Sequence, residues 1–296
     1  MKSVVPLLLL SLATTGFSQA AKRTPLSSAV PDSIKAELNL EYGTTPEQRL
    51  LMDVYRPKSG GDNLPACVLV HGGGWTGGDK EKFTPLAIAL AQRGYVVANI
   101  EYRLAGAAKY PAAVRDCTAA VRFVRANAKH FGLNPERIGA WGGSAGGHLV
   151  GLLAAAPALE KFSAGNKDVS ARLKAVVVMA GPMELASEKA IENLRQQKEK
   201  SNGFKWLGRL YDDAPELYRE ASPMSYLDRN TAATLFLRGD LDNPEADLPA
   251  LEKLKSLGVA TDRVIIKGGK HGCWMQHPWF EQCVEAVDAF FQRQLK

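Results

Sequence analysis

From residue 66 onward the chain repeats one rhythm: a short run rich in valine and isoleucine, a glycine-bearing turn, then a longer stretch with helical periodicity. The runs "ACVLVHGG", "YVVANIEYR", "RIGAWGG", "KAVVVMAG", "ATLFLRGD" and "DRVIIKGG" are apolar at successive positions, so both faces of each strand need cover. With helical patterns at residues 80–93, 111–130, 144–156, 244–257 and 276–294 between and after them, they form parallel βαβ units. Ahead of these, "IKAELNLEYG" and "LLMDVYRP" alternate apolar with polar residues across a polar turn, which predicts an antiparallel hairpin. The expected fold is α/β: one doubly wound, mostly parallel eight-stranded sheet in a single domain over residues 21–296. Residues 182–230 break the rhythm. They are polar, carry "RQQKEKSNGF", and predict a small helical, lid-like insertion over the sheet edge.

Residues 1–20 read as a separate object. Lys2, the apolar run "VVPLLLLSLA" and the small-residue end "FSQA" fit a secretory signal peptide, which puts the mature chain in the periplasm or outside the cell. The run is too short to span a bilayer, so no membrane partner is expected after cleavage. The net charge of +6 is spread along the chain rather than gathered in a stripe, which argues against a nucleic-acid groove. The four cysteines lack metal-type spacing, and no metal or other cofactor is expected. Cys273 and Cys283 stand close enough in sequence to pair in an oxidising compartment, or to stay reduced in the core.

Chemistry concentrates at "RIGAWGGSAGGHLVG", where Gly142, Gly143, Ser144, Ala145 and Gly146 fill the pattern G-x-S-x-G between a strand and a helix. A serine held at a strained backbone angle needs neighbours without bulky β-carbons, and such a turn lifts its hydroxyl clear of the sheet edge. The run "VLVHGGGW" follows another strand. Its glycine amides, those of Gly73 and Gly74, together with the amide of Ala145, are the expected donors to a negative oxygen, each worth ~3 kcal/mol in a transition state. A phosphate-cradling loop is disfavoured, because the lysine and Ser/Thr of that motif are missing. His71, preceding the glycines, is expected to brace the loop.

A serine nucleophile needs a base, and the chain holds five histidines. In the strand order that G-x-S-x-G implies, acid and histidine follow the serine, the histidine after the last strand. His71 and His130 come too early, and His148 lies one turn into the helix that the serine starts. His271 in "IIKGGKHGCW" is therefore the candidate, with His277 as runner-up. For the acid, "RGDLDNPEA" offers Asp242, farther round its loop, ahead of Asp240, with Asp247 a distant third.

These motifs, with "HGGGW", "EYRLA", "YPAAVRDC" and "ASPMSYL", resemble the α/β-hydrolase superfamily and its hormone-sensitive-lipase-like esterases. Within that group the likeness is greatest to the bifunctional feruloyl and acetyl-xylan esterases, over roughly residues 36–294. The resemblance implies a triad of Ser144, Asp242 and His271 and an oxyanion hole of Gly73, Gly74 and Ala145. It also implies a cofactor-free esterase acting on an acylated polysaccharide or oligosaccharide. One departure is Arg238, where relatives commonly carry histidine before Gly239. Tyr102, Arg103 and Asp116 match family positions and are read as structural, the last two as an ion pair. Trp75, Trp274 and Trp279 flank the expected site as a candidate platform for a sugar ring or feruloyl group, or as core.

Overall fold

The structure is a computed structural model and describes residues 26–295. The expected signal peptide lies outside the described residues. Eight strands form one sheet: β1 (Ile34–Thr44), β2 (Arg49–Pro57), β3 (Leu64–Val70), β4 (Val96–Ile100), β5 (Leu133–Gly143), β6 (Ala175–Met179), β7 (Ala233–Gly239) and β8 (Thr261–Ile266). Their spatial order is β1-β2-β4-β3-β5-β6-β7-β8. The pairs β1·β2 and β2·β4 are antiparallel and all others parallel, as the opening hairpin and the apolar runs predict.

The helices are α1 (Thr84–Ala91), α2 (Ala112–Ala126), α3 (Ala128–Phe131), α4 (Ala145–Ala155), α5 (Glu188–Gln197), α6 (Asn202–Leu207), α7 (Pro215–Glu220), α8 (Leu248–Ser256) and α9 (Trp279–Leu295). Successive strand residues point to opposite faces. In β3, Ala66, Val68 and Val70 join a core with α2, α4 and α8, while Cys67 and Leu69 join a second core with α1 and α9. Val176 and Val178 of β6 repeat this split against Val177 and Met179, so two cores sandwich the sheet. The helix expected from residue 276 starts at Trp279, because Pro278 disfavours helical backbone at the residue before it. Among the described residues no helix is long and apolar enough to cross a membrane.

Strand order positions the site. The chain leaves β3 toward α1 on one face and leaves β5 into α4 on the other, so the loops after these adjacent strands diverge and open a crevice. The segment between β6 and β7 carries α5, α6 and α7. It docks unevenly: α5 has no buried residue, whereas α6 buries Trp206 and Leu207.

Candidate active site

Ser144 occupies the corner between β5 and α4 with φ +54° and ψ −118°, a conformation that non-glycine residues rarely adopt. Its amide donates to the Met179 carbonyl at 2.7 Å, which ties the corner to β6. Two glycines make the turn possible. A Cβ on Gly142 would stand 2.2 Å from the Gly146 carbonyl oxygen, and one on Gly146 would stand 2.1 Å from that of Val70.

The loops after β7 and β8 are stitched to one another. Asp240 N donates to the Ile266 carbonyl at 3.1 Å and Leu241 N to that of Gly269 at 3.0 Å. This places His271 between the other two groups. Its Nε2 lies 2.9 Å from Ser144 Oγ, and its Nδ1 lies 2.8 Å from Asp242 Oδ2. With Nδ1–H donating to the carboxylate, Nε2 is left to accept the serine proton. Asp242 is largely shielded, its side chain 15% exposed, whereas that of His271 is 52% exposed and open to an incoming ligand.

The remaining candidates go elsewhere. Asp240 keeps a buried Oδ1 without a partner and stays out of the run. Asp247 is fully buried and held by Arg238, Nε to Oδ2 at 2.9 Å and Nη2 to Oδ1 at 2.8 Å; burial raises the pKa of its carboxyl against that partner. The same guanidinium donates through Nη1 to the Asp242 carbonyl at 3.3 Å, so Arg238 braces the acid's loop. His277 faces Glu281 at 2.6 Å. His71 donates from Nδ1 to the Gly72 carbonyl at 2.7 Å and stacks on Tyr102 at 4.4 Å, and burial lowers its pKa. His148 is wholly buried under the corner and bonds the Ala221 carbonyl through Nε2 at 2.8 Å, and burial lowers its pKa to about 4. Arg103 forks onto Asp116, the ion pair read as structural.

The amides of Gly73, Gly74 and Ala145 make no hydrogen bond among the described residues. Gly73 and Gly74 have φ +124° and +61°. A cavity of about 670 Å³ opens between these glycines, Ser144 and His271, and Trp274 walls it with its ring edge-on to the imidazole at 5.2 Å. Of the three candidate tryptophans only Trp274 lines this cavity. Trp75 is buried, stacked on Trp206 at 4.9 Å, and Trp279 donates its indole N–H to the Lys267 carbonyl. Lys82, Phe83, Asn202 and Met275, which the sequence did not single out, complete the wall. They come from the turn before α1, the insertion and the loop beyond His271; the helical pattern over residues 80–93 covers Lys82 and Phe83 without marking them for a ligand, and no motif marks the others. Cys273 and Cys283 are free, buried thiols whose mutual interaction lowers the pKa of Cys273 and raises that of Cys283.

A serine on a strained strand-to-helix corner at the switch point of a doubly wound sheet, with histidine and aspartate from the last two strand loops, defines the α/β-hydrolase class. Comparison with known proteins narrows this. The BD-FAE family model matches residues 52–245, and the chain belongs to that family. Carboxylesterase NlhH of Mycobacterium tuberculosis is 38% identical over 128 residues, covering 42% of this chain and 40% of the relative. The chain spans about half the length of the curated relatives it matches. Among solved structures, propionate-bound esterase Est2 of the Planctomycetes species Thermogutta terrifontis superposes with TM-score 0.70 at 26% identity over 88% of this chain and 94% of that one. A truncated carbohydrate esterase from gut microbiota does so with TM-score 0.75 at 22% identity over 88% and 96%, a likeness of fold.

Proposed function

We propose that this protein is an exported serine carboxylesterase that removes small acyl groups, acetate first and ferulate second, from plant-type polysaccharides. The observation that carries the reading is the unbroken hydrogen-bond run Ser144–His271–Asp242 beside the unpaired amides of Gly73 and Gly74, which line the same cavity, and that of Ala145 next to Ser144 in the chain. His271 Nε2 takes the Ser144 proton as Oγ attacks the ester carbonyl carbon, and Asp242 stabilises the imidazolium that forms. The amides of Gly73, Gly74 and Ala145 hold the oxyanion. Collapse breaks the bond to the alcohol oxygen, which leaves with the proton from His271. Water, deprotonated by the same imidazole, then attacks the acyl-enzyme, releasing the acid and restoring Ser144.

Support for an ester substrate comes from the carboxylesterase NlhH, and support for a short acyl group from propionate-bound Est2. The carbohydrate alcohol rests on the family resemblance of the sequence.

The test is a panel of p-nitrophenyl esters of graded chain length with acetylated xylan and methyl ferulate, run beside fluorophosphonate labelling. Acetate release and labelling at Ser144 are expected. Turnover of long-chain esters alone would overturn the substrate, and a folded protein that never labels at Ser144 would overturn the mechanism.

A further inference from the structure

We propose that Asn202 selects esters whose alcohol carries a free hydroxyl next to the acylated oxygen, as a partly acylated sugar does. The inference rests on the esterase reading above and extends it to the recognition of the alcohol. Polar side chains around the cavity are few, and most are already engaged. His71 is tied to the Gly72 carbonyl, His271 is joined to Ser144 and Asp242, and Lys82 pairs with Asp79 at 3.4 Å. Phe83, Trp274 and Met275 offer apolar surface. Asn202 differs: it lines the cavity, and its carboxamide makes no hydrogen bond among the described residues.

Its position is fixed on both sides. A Cβ placed on Gly74 would meet Asn202 Nδ2 at 2.2 Å and Cγ at 2.9 Å, so the carboxamide packs against the glycine whose amide is assigned to the oxyanion. Behind it, Ser201 caps α6 by accepting from Phe204 N at 3.1 Å, and Trp206 of the same helix stacks on Trp75 of the glycine loop. The carboxamide is therefore held beside the place where an ester's carbonyl would bind. A carboxamide offers two donors and an acceptor, the complement of a hydroxyl that both gives and takes a hydrogen bond. A simple alkyl or aryl ester has nothing there to engage it. Asn202 is open to solvent, so an unmatched substrate leaves it bonded to water rather than stranded. The expected discrimination is that of one net hydrogen bond, about three- to tenfold.

The experiment compares kcat/KM on methyl 2-O-acetyl-β-xyloside, which keeps its 3-hydroxyl, with kcat/KM on the 3-O-methyl ether of the same ester. The wild-type protein is expected to prefer the free hydroxyl by about three- to tenfold. Asn202→Ala and Asn202→Leu are each expected to bring that ratio to about one. The leucine keeps packing against Gly74, so a ratio it restores would mark Asn202 as a spacer and overturn the proposal. A wild-type ratio of one, or a preference that survives both substitutions, would also overturn it. Wild-type turnover of p-nitrophenyl acetate is measured alongside: its absence sinks the esterase reading, whereas its presence with any of those ratios sinks the Asn202 assignment alone.

Discussion

The serine corner and the insertion above it are held by opposite means. At the corner, backbone meets backbone: Gly142, Gly146 and Val70 approach so closely that one added methyl group has nowhere to go. In the insertion, α5 has no fully buried residue, and its Arg195 bonds Asp212 directly at 2.6 Å in a solvent-exposed pair. The first is over-determined by close packing of rigid atoms, while the second combines a buried anchor at Trp206 with, at α5, exposed polar contacts that water can replace. The candidate nucleophile thus sits on closely packed backbone, whereas α5, which lies outside the cavity wall, keeps no buried residue.

The largest test of this contrast is catalytic. Ser144→Ala and His271→Ala are each expected to lower kcat by about 10⁵-fold or more, with little further loss in the double variant, because the two act as one unit. Additive losses in p-nitrophenyl acetate turnover would break the picture. Asp242→Asn is expected to cost about 10⁴-fold by favouring the wrong imidazole tautomer. Asp240→Asn is expected to cost little, and the reverse ranking in the same assay would move the acid.

Packing is tested next. Gly146→Ala directs a methyl group into the Val70 carbonyl and should cost on the order of 3 kcal/mol or more in urea unfolding, or prevent folding. A near-neutral result would show that the corner yields.

His148 joins the two regions, since it sits on α4 and bonds the Ala221 carbonyl beyond α7. With a pKa lowered from 6.5 to about 4, it stays neutral in the native state while the unfolded chain takes up a proton. Stability from this group is therefore full above pH 6.5 and falls as pH drops toward 4, by roughly 2 to 3 kcal/mol at pH 4.5. In His148→Gln the denaturant midpoint should lose less between pH 7 and pH 4.5 than in the wild type; equal losses would exclude this histidine as the source. The smallest effect is expected from Arg195→Ala, which removes a solvent-screened pair and should leave the midpoint unchanged. A clear fall would show that the insertion is more tightly held than its exposure implies.

Legibility in the sequence followed the same division. The central strands β3 to β7 could be read because each carries an apolar run with cores on both faces, the opening hairpin because it alternates, and Ser144 because its glycines are a steric requirement of the corner. His271 followed from chain order alone. The cavity wall did not, because Asn202 and Lys82 face it through tertiary docking that leaves no period in the sequence. Trp75 shows the limit: next to the glycine run it looks available to a ligand, yet φ +61° at this residue goes with an indole packed on Trp206. The pairing of Arg238 with Asp247 was likewise hidden, since sequence proximity alone did not reveal a bidentate contact.

One buried contact ties the rim of the pocket to the far margin of the sheet. Lys80, at the foot of the turn that carries Lys82 and Phe83, is 2% exposed; its Nζ lies 3.1 Å from Asp53 Oδ2 on β2 and 3.0 Å from Asn39 Oδ1 on β1. The opening hairpin is thus a hidden abutment for the wall beside which substrate would lie, and trimming it from the N-terminal side would remove a support of that wall without touching Ser144, His271 or Asp242.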